Sequence, residues 1–375
     1  MRQLYLVFLC FLLSGFILGC GGNSDPEPEK GKEGDKTGNL ENNPGSDNAN
    51  KGIKNAQPPY TLKFELACRF KIDILGKYAF APDNAHFFAL ESKNNNLFLK
   101  KYHLKNKQLA TEPIHLGDAI IVEGTTFSAD GRKAAVIVFA NNSQERVGIV
   151  DTETGRITQR IDPKQDATYV AISGNGKVVV VSALKDNSKS QLSLFDTGSG
   201  KLLAKIESDK TDLKNLSMSR TGDVVFLPPM LGDTWYTVWD TKSNKIRKLI
   251  SLEEPTNAVI SPDGKTIAGT WIHQFRSVLG IVDVGTGKTG KTISDKRVAN
   301  LQYSPNSQRL FASKIFKGMC MFDLVTAAEV ADSGPKENFF GPVFSPNGEY
   351  LAVGKLSTDP NLKQDDIYVW KLVKQ

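Results

Sequence analysis

Four histidines, His86, His103, His115 and His273, are the side chains best suited to move protons near neutral pH or to ligate a transition metal. None lies at metal-ligand spacing from another along the chain. Of four cysteines, only Cys68 and Cys320 fall in the body of the sequence, too few for a zinc set. No Gly-x-Ser-x-Gly elbow, phosphate-cradling loop or dinucleotide fingerprint is present. Carboxylates are plentiful, but Asp151, Asp196, Asp240, Asp283 and Asp323 each precede a tight turn. Their expected work is to hold that turn's amides, not to act as general acid or base. His103 stands in the same slot and His86 in a hairpin, so both carry structural readings. The residues therefore predict no catalytic set, no metal and no cofactor.

What positions these side chains is a repeat. Phe127-Ser128-Ala129-Asp130-Gly131 returns as Ile172–Gly176, Met218–Gly222, Ile260–Gly264, Tyr303–Ser307 and Phe344–Gly348, with a worn first copy at Phe80–Asn84. Successive copies lie 41 to 47 residues apart. Pro presets φ for a turn, Asp or Asn bonds back to the backbone, and Gly accepts positive φ, so each copy predicts a hairpin. A second phrase follows each: an alternating strand and then Asp, as in Val147–Asp151, Leu192–Asp196, Tyr236–Asp240, Leu279–Asp283 and Met319–Asp323. A short fourth strand follows, for example Ile157–Ile161.

Four antiparallel strands per repeat, seven times over, predict an all-β fold: a seven-bladed β-propeller of four-stranded antiparallel blades over residues 60–375. The last repeat stops after its third strand, Ile367–Leu372, while an unclaimed strand, Tyr60–Ala67, precedes the first. That N-terminal strand is expected to complete the last blade, which leaves no open sheet edge.

By these phrases the body resembles the WD40 repeat superfamily and its bacterial YVTN-type relatives. The resemblance implies the propeller fold and, for most such proteins, a non-catalytic interaction platform. Only Trp239-Asp240 matches the Trp-Asp signature, and no Gly-His pair precedes the inner strands, so the family's hydrogen-bonded tetrad is not expected.

In a propeller, the loops between second and third strands open on the same face as those that lead into each inner strand. On that rim the sequence places Trp235, Trp271, His273, Phe275, Arg276, Phe316 and Lys317, aromatics beside bases, a mix enriched in binding hot spots. Packing of Trp271 and Phe275 between blades is the competing reading. Asn215, Asn257 and Asn300 stand four residues before their turn serines. Their side chains are expected to cap their own loops, the alternative being a ring of amides facing a ligand.

The N-terminus carries an expectation about where the chain works. Arg2 and the apolar run Leu4–Leu18 suit a signal peptide over residues 1–19 and are short for a bilayer span. Ile17-Leu18-Gly19-Cys20 resembles the bacterial lipobox, which implies lipidation at Cys20. Residues 20–59 are rich in Gly, Asn, Asp, Glu, Lys, Pro and Ser and predict a disordered, lipid-anchored tether. The chain's net charge is +6, and its body is mildly basic without a Lys/Arg block, which does not point to nucleic acid. Cys68 and Cys320 are expected as buried thiols, with a bridge as the alternative.

The expected function is a non-enzymatic, envelope-anchored binding or scaffold protein that recognises protein partners. It is expected to touch the membrane only through its lipid, to act as a monomer, and to sit on a bacterial envelope membrane, the outer one by preference. The alternatives are a lactonase-like envelope hydrolase and a small-molecule or glycan sensor using the rim or channel.

Overall fold

The computed structural model describes residues 60–73, 77–93, 96–118, 125–139, 145–186, 189–209, 213, 215–229, 233–294, 297–314, 318–333, 339–355 and 364–375. The signal segment 1–19, Cys20 and the tether 20–59, together with Phe316 and Lys317, lie outside the described residues.

The repeated phrase folds as a small hydrogen-bonded cycle. In blade two Ser128 Oγ donates to Asp130 Oδ1 at 2.6 Å and accepts from Lys133 N at 3.0 Å. Asp130 Oδ1 also accepts from Arg132 N at 3.1 Å, and Gly131 turns the corner at φ 71°. Ser173 with Asn175, Ser261 with Asp263, Ser304 with Asn306 and Ser345 with Asn347 make the same serine-to-carbonyl or carboxylate bond. Each serine is buried, so its hydroxyl has to be paired inside the turn. The threonine after the third strand clamps the cycle from outside: Thr152 Oγ1 donates to Gly131 O and Thr197 Oγ1 to Gly176 O, both at 2.6 Å.

These turns join the strands into seven sheets of four antiparallel strands. Six are sequential: Lys77–Asp118, Thr126–Ile161, Ala167–Ser208, Ser217–Ser251, Ala258–Ser294 and Val298–Ser333 form blades one to six. The seventh takes its three inner strands from Phe339–Lys374 and its outer strand, Leu62–Asp73, from the other end of the chain. Pairing runs from Leu62 opposite Lys374 to Asp73 opposite Gln364, with a bulge between Leu66 and Cys68. The closing strand is thus longer than the expected Tyr60–Ala67. Cys68, Phe70 and Ile72 continue its buried side and pack on blade one against Phe80 and Phe87.

The core lies between neighbouring blades. Val136, Val138 and Val150 of blade two meet Leu90, Leu97 and Leu99 of blade one. Tyr236 and Val238 of blade four meet Ile267, Val278 and Val282 of blade five. Each sheet therefore buries both faces, which explains the β-branched runs that alternate less than an open sheet would.

Candidate functional site

Inner strands begin at one end of the central channel and finish at the serine turns. The face where they begin is called the loop face here, and the other the turn face. On the turn face the corners are bonded to one another: Asp130 N to Gly174 O at 3.1 Å, Asn175 N to Arg220 O at 2.9 Å and Arg220 N to Pro262 O at 2.6 Å. Asp263 N continues to Ser307 Oγ and Asn347 N to Asn84 Oδ1, each at 3.2 Å. That face is committed to holding the ring together.

The loop face is different, and Phe275 stands out on it. It lies at the tip of the hairpin joining Thr266–His273 to Arg276–Asp283, where His273 pairs with Arg276 across a two-residue loop. Both loop residues are left-handed, Gln274 at φ 48° and Phe275 at φ 62°. Such a tip is the natural place for Asn-Gly, because a side chain at positive φ crowds its own backbone. Here it carries a phenyl ring that is 98 % exposed, next to an exposed Arg276 and a half-buried His273.

Trp235 reaches the same neighbourhood through a chain of pairings. It opens the third strand of blade four opposite Ser251 and is 37 % exposed. Two residues on, Glu253 bridges to Ile272, with Ile272 N donating to Glu253 O at 2.8 Å. The blade-four connection is thus zipped onto the strand that leads to Phe275. Glu253 and Glu254 are exposed there, so the patch carries both signs of charge.

Trp271 does not belong to the exposed patch. It is 8 % exposed and packs inward with Tyr236, Phe226 and Val278. A methyl group at Gly280 would lie 2.4 Å from its ring, so this glycine, diagonally across on the neighbouring strand, makes the room. Trp271 braces the hairpin; Phe275 presents outward.

The channel offers a cavity of about 460 Å³ lined by Lys77, Tyr169, Asn215, Gln302, Phe340 and Pro342 among others. Burial pushes the Tyr169 hydroxyl's pKa up. Among the described residues no carboxylate and no histidine lines this cavity. Nor do three histidine, cysteine, aspartate or glutamate side chains converge anywhere among the described residues as a metal-ligand group.

The strand-ending aspartates do what their position predicts. Asp196 Oδ1 accepts from Ser199 N and Oγ at 2.7 Å, and Asp283 Oδ1 from Thr286 N at 2.7 Å and Oγ1 at 2.8 Å. These amide bonds hold both carboxyls below the usual carboxylate range. Cys68 and Cys320 are buried free thiols, and burial pushes Cys68 up to about 11, so it is a poor nucleophile.

At two of the three asparagines, Asn215 and Asn300, the position has a backbone reason; Asn257 is exposed and does not share their left-handed φ. Asn215 sits at φ 55° and Asn300 at φ 49°, while blade seven has Gly341 at φ 54° in the same slot. Register shifts between Ala299 and Gln302, and between Phe340 and Val343, mark bulges there. Asn and Gly are the residues that tolerate this conformation. The Asn300 amide does not cap its own loop: it donates to Ser313 Oγ at 3.0 Å and, across to blade seven, to Phe339 O at 2.6 Å.

One pair went unseen in the linear sequence. His86 and His103 face each other across blade one with ring centroids 4.5 Å apart. Seventeen residues separate them in sequence, and only strand register brings them together. Comparison with family models and with curated proteins finds no match for this chain.

Proposed function

We propose that this protein is a non-enzymatic binding module of a bacterial envelope, tied to its membrane by a lipid on Cys20. Its propeller offers the Phe275 hairpin, Arg276 and Trp235 to a protein partner. The observation that carries this reading is the Phe275 ring: fully outside, unpacked against its own chain, and held at a positive φ that costs about 1–2 kcal/mol per residue. Burying such a ring against a partner returns roughly 2–3 kcal/mol. Aromatic and arginine side chains dominate hot spots, and here they share one edge. The resemblance of the repeat to WD40 and YVTN-type propellers supports a platform role.

The anchor fits the same picture. The closing strand begins at the turn face, where Gln375 N donates to Thr61 O at 3.0 Å. The described chain thus enters the ring on the face opposite the Phe275 hairpin. A photo-crosslinking residue at position 275, compared with one at the exposed Val325, tests the reading in intact cells. A discrete adduct from 275, absent from 325 and lost with Arg276→Glu, is expected; no adduct from 275 would sink it. For the anchor, Cys20→Ser is expected to release the chain from the membrane fraction.

A small-molecule sensor is the second reading, favoured by the 460 Å³ channel and its Tyr169, Asn215 and Gln302 side chains. The hydrolase alternative would need carboxylates in that channel, and none is among the described residues lining it.

A further inference from the structure

We propose that His86 and His103 form a two-imidazole site in blade one for a divalent transition-metal cation of the class neutral imidazole favours, Zn²⁺, Ni²⁺ or Cu²⁺. His86 opens the second strand of the blade and His103 closes the third, directly opposite in the register. Their rings lie 4.5 Å apart, centre to centre, at 46° to one another. Two imidazoles bound to one tetrahedral ion through metal–nitrogen bonds of about 2.0–2.1 Å have centres roughly 5 Å apart. A small rotation of the His103 ring spans the difference.

Asp83 makes His86 ready for this role. Its Oδ1 accepts from Ala85 N at 2.9 Å and His86 N at 3.1 Å, which fixes the carboxylate. Its Oδ2 lies 2.6 Å from His86 Nδ1. With the Nδ1 proton held by that carboxylate, Nε2 keeps its lone pair for an ion, and the ring's orientation is set. This is the carboxylate–histidine–metal order, with Asp83 behind the ligand and not on the metal. Among the described residues no other hydrogen bond reaches either ring. Water would complete the coordination, since no third protein ligand converges there.

The repeat itself marks this pair as a departure. The equivalent cross-strand pairs are Lys133 with Asp151, Val178 with Asp196, Val224 with Asp240, Thr266 with Asp283, Arg309 with Asp323 and Tyr350 with Lys371. In five of these six the second residue is an aspartate. The carboxylates of Asp151, Asp196, Asp240, Asp283 and Asp323 hold the next turn. A histidine cannot accept two turn amides in that manner. Blade one closes the turn differently, with Asn106 Oδ1 accepting from Gln108 N at 3.1 Å and Lys107 at φ 63°. Both members of the slot have become imidazole in the same blade, and the turn has been released from them.

The test titrates the untagged full chain with Zn²⁺ alone and reads the four histidine rings by ¹H–¹⁵N NMR; Ni²⁺ broadening is the second measurement. His86 and His103 are expected to respond together at one ion per chain, while His115 and His273 serve as internal controls. His86→Gln and His103→Gln should each remove the response of the remaining partner. Asp83→Asn should weaken binding by about tenfold to a hundredfold. The wild-type titration needs no variant to fold. Equal response of all four histidines, a stoichiometry other than one, or undiminished binding by His103→Gln would overturn the site.

Discussion

The Tyr60 hydroxyl donates to Asp323 Oδ2 at 3.0 Å across 263 positions of sequence. Tyr60 precedes the strand that completes blade seven, and Asp323 ends the third strand of blade six. The same hydroxyl accepts from Arg309 Nε at 3.1 Å, and the ring lies under the Arg309 guanidinium and Lys374 ammonium at 5.4 and 5.3 Å. The chain's first described residue is thus a latch between the borrowed strand and the neighbouring blade.

Tyr60→Phe keeps the ring under both cations and removes only the hydroxyl. A loss of about 1–2 kcal/mol is expected, because Asp323 and Arg309 each lose a hydrogen bond to a charged group. Tyr60→Ala should cost more, since it also removes the cation–π contacts. Chemical denaturation of both variants checks the order; equal effects would assign the latch to the ring.

Acid should loosen the blades at their turns. The amides of Ser199, Ser243 and Thr286 hold Asp196, Asp240 and Asp283 below their ordinary values. At Asp323 burial works upward, but the Thr326 amide and hydroxyl with Tyr60 outweigh it. A carboxyl held down in the folded chain gives its full stabilisation above the unfolded value, about 3.9, and loses it as pH falls through the folded one. The urea midpoint is expected to drop steeply below about pH 4, and less so in a variant with Asp196, Asp240 and Asp283 changed to Asn. A midpoint flat to pH 3 would contradict this.

The turn chemistry that acid attacks is also what made the fold legible. Ser128, Asp130 and Gly131 interact within five residues, so their identities report a local cycle directly, and counting its copies gives the ring. The closing strand was legible through Ala67, and its second half less so. The bulge at Leu66 and Cys68 leaves Leu66 52 % exposed and breaks the clean alternation at that point. For the site, Phe275 and Trp235 were legible as rim residues, whereas the burial of Trp271 depends on Gly280 in the neighbouring strand. The His86–His103 pair needed register: the two are equidistant from the Lys93–Asn96 pair, a relation visible only once the strand pairing is drawn.

If Phe275 is kept for a partner and not for the fold, removing it should help the fold. Replacing Gln274-Phe275 by Asn-Gly supplies the residues that a doubly left-handed loop prefers. A gain of about 1 kcal/mol in stability is expected from the relieved backbone. Crosslinking from a probe at the exposed Glu253 should fall in the same variant. A loss of stability would mean that the ring packs somewhere in the folded chain.

The ring of corners makes a sharper demand on one glycine. Gly131 has φ 71°, and a methyl group there would lie 2.0 Å from Phe80 O of the preceding blade. Backbone cannot give way as a flexible side chain does. Gly117, at φ 126°, would place its methyl in open space. Gly117→Ala is expected to cost about 1 kcal/mol, through φ alone. Gly131→Ala should cost about 3 kcal/mol or more, because two blades must separate. Comparable losses in the two variants would mean that the blades are not in contact there.

Closure itself can be cut. A chain of residues 60–375 contains all seven blades, whereas one of residues 74–375 leaves blade seven with three strands and an unpaired edge along Gln364–Lys374. That edge carries Ile367, Val369 and Trp370, and removal of the closing strand also uncovers Phe80 and Phe87, against which Phe70 and Ile72 pack. An open apolar edge pairs with another copy, so the shorter chain is expected to elute as high-order aggregates and the longer one as a single species. A 60–73 peptide added during refolding should restore the single species, because the strand is held by pairing and packing and needs no covalent link at that point. If residues 74–375 elute as one stable, folded monomer without the peptide, the ring does not depend on its borrowed strand.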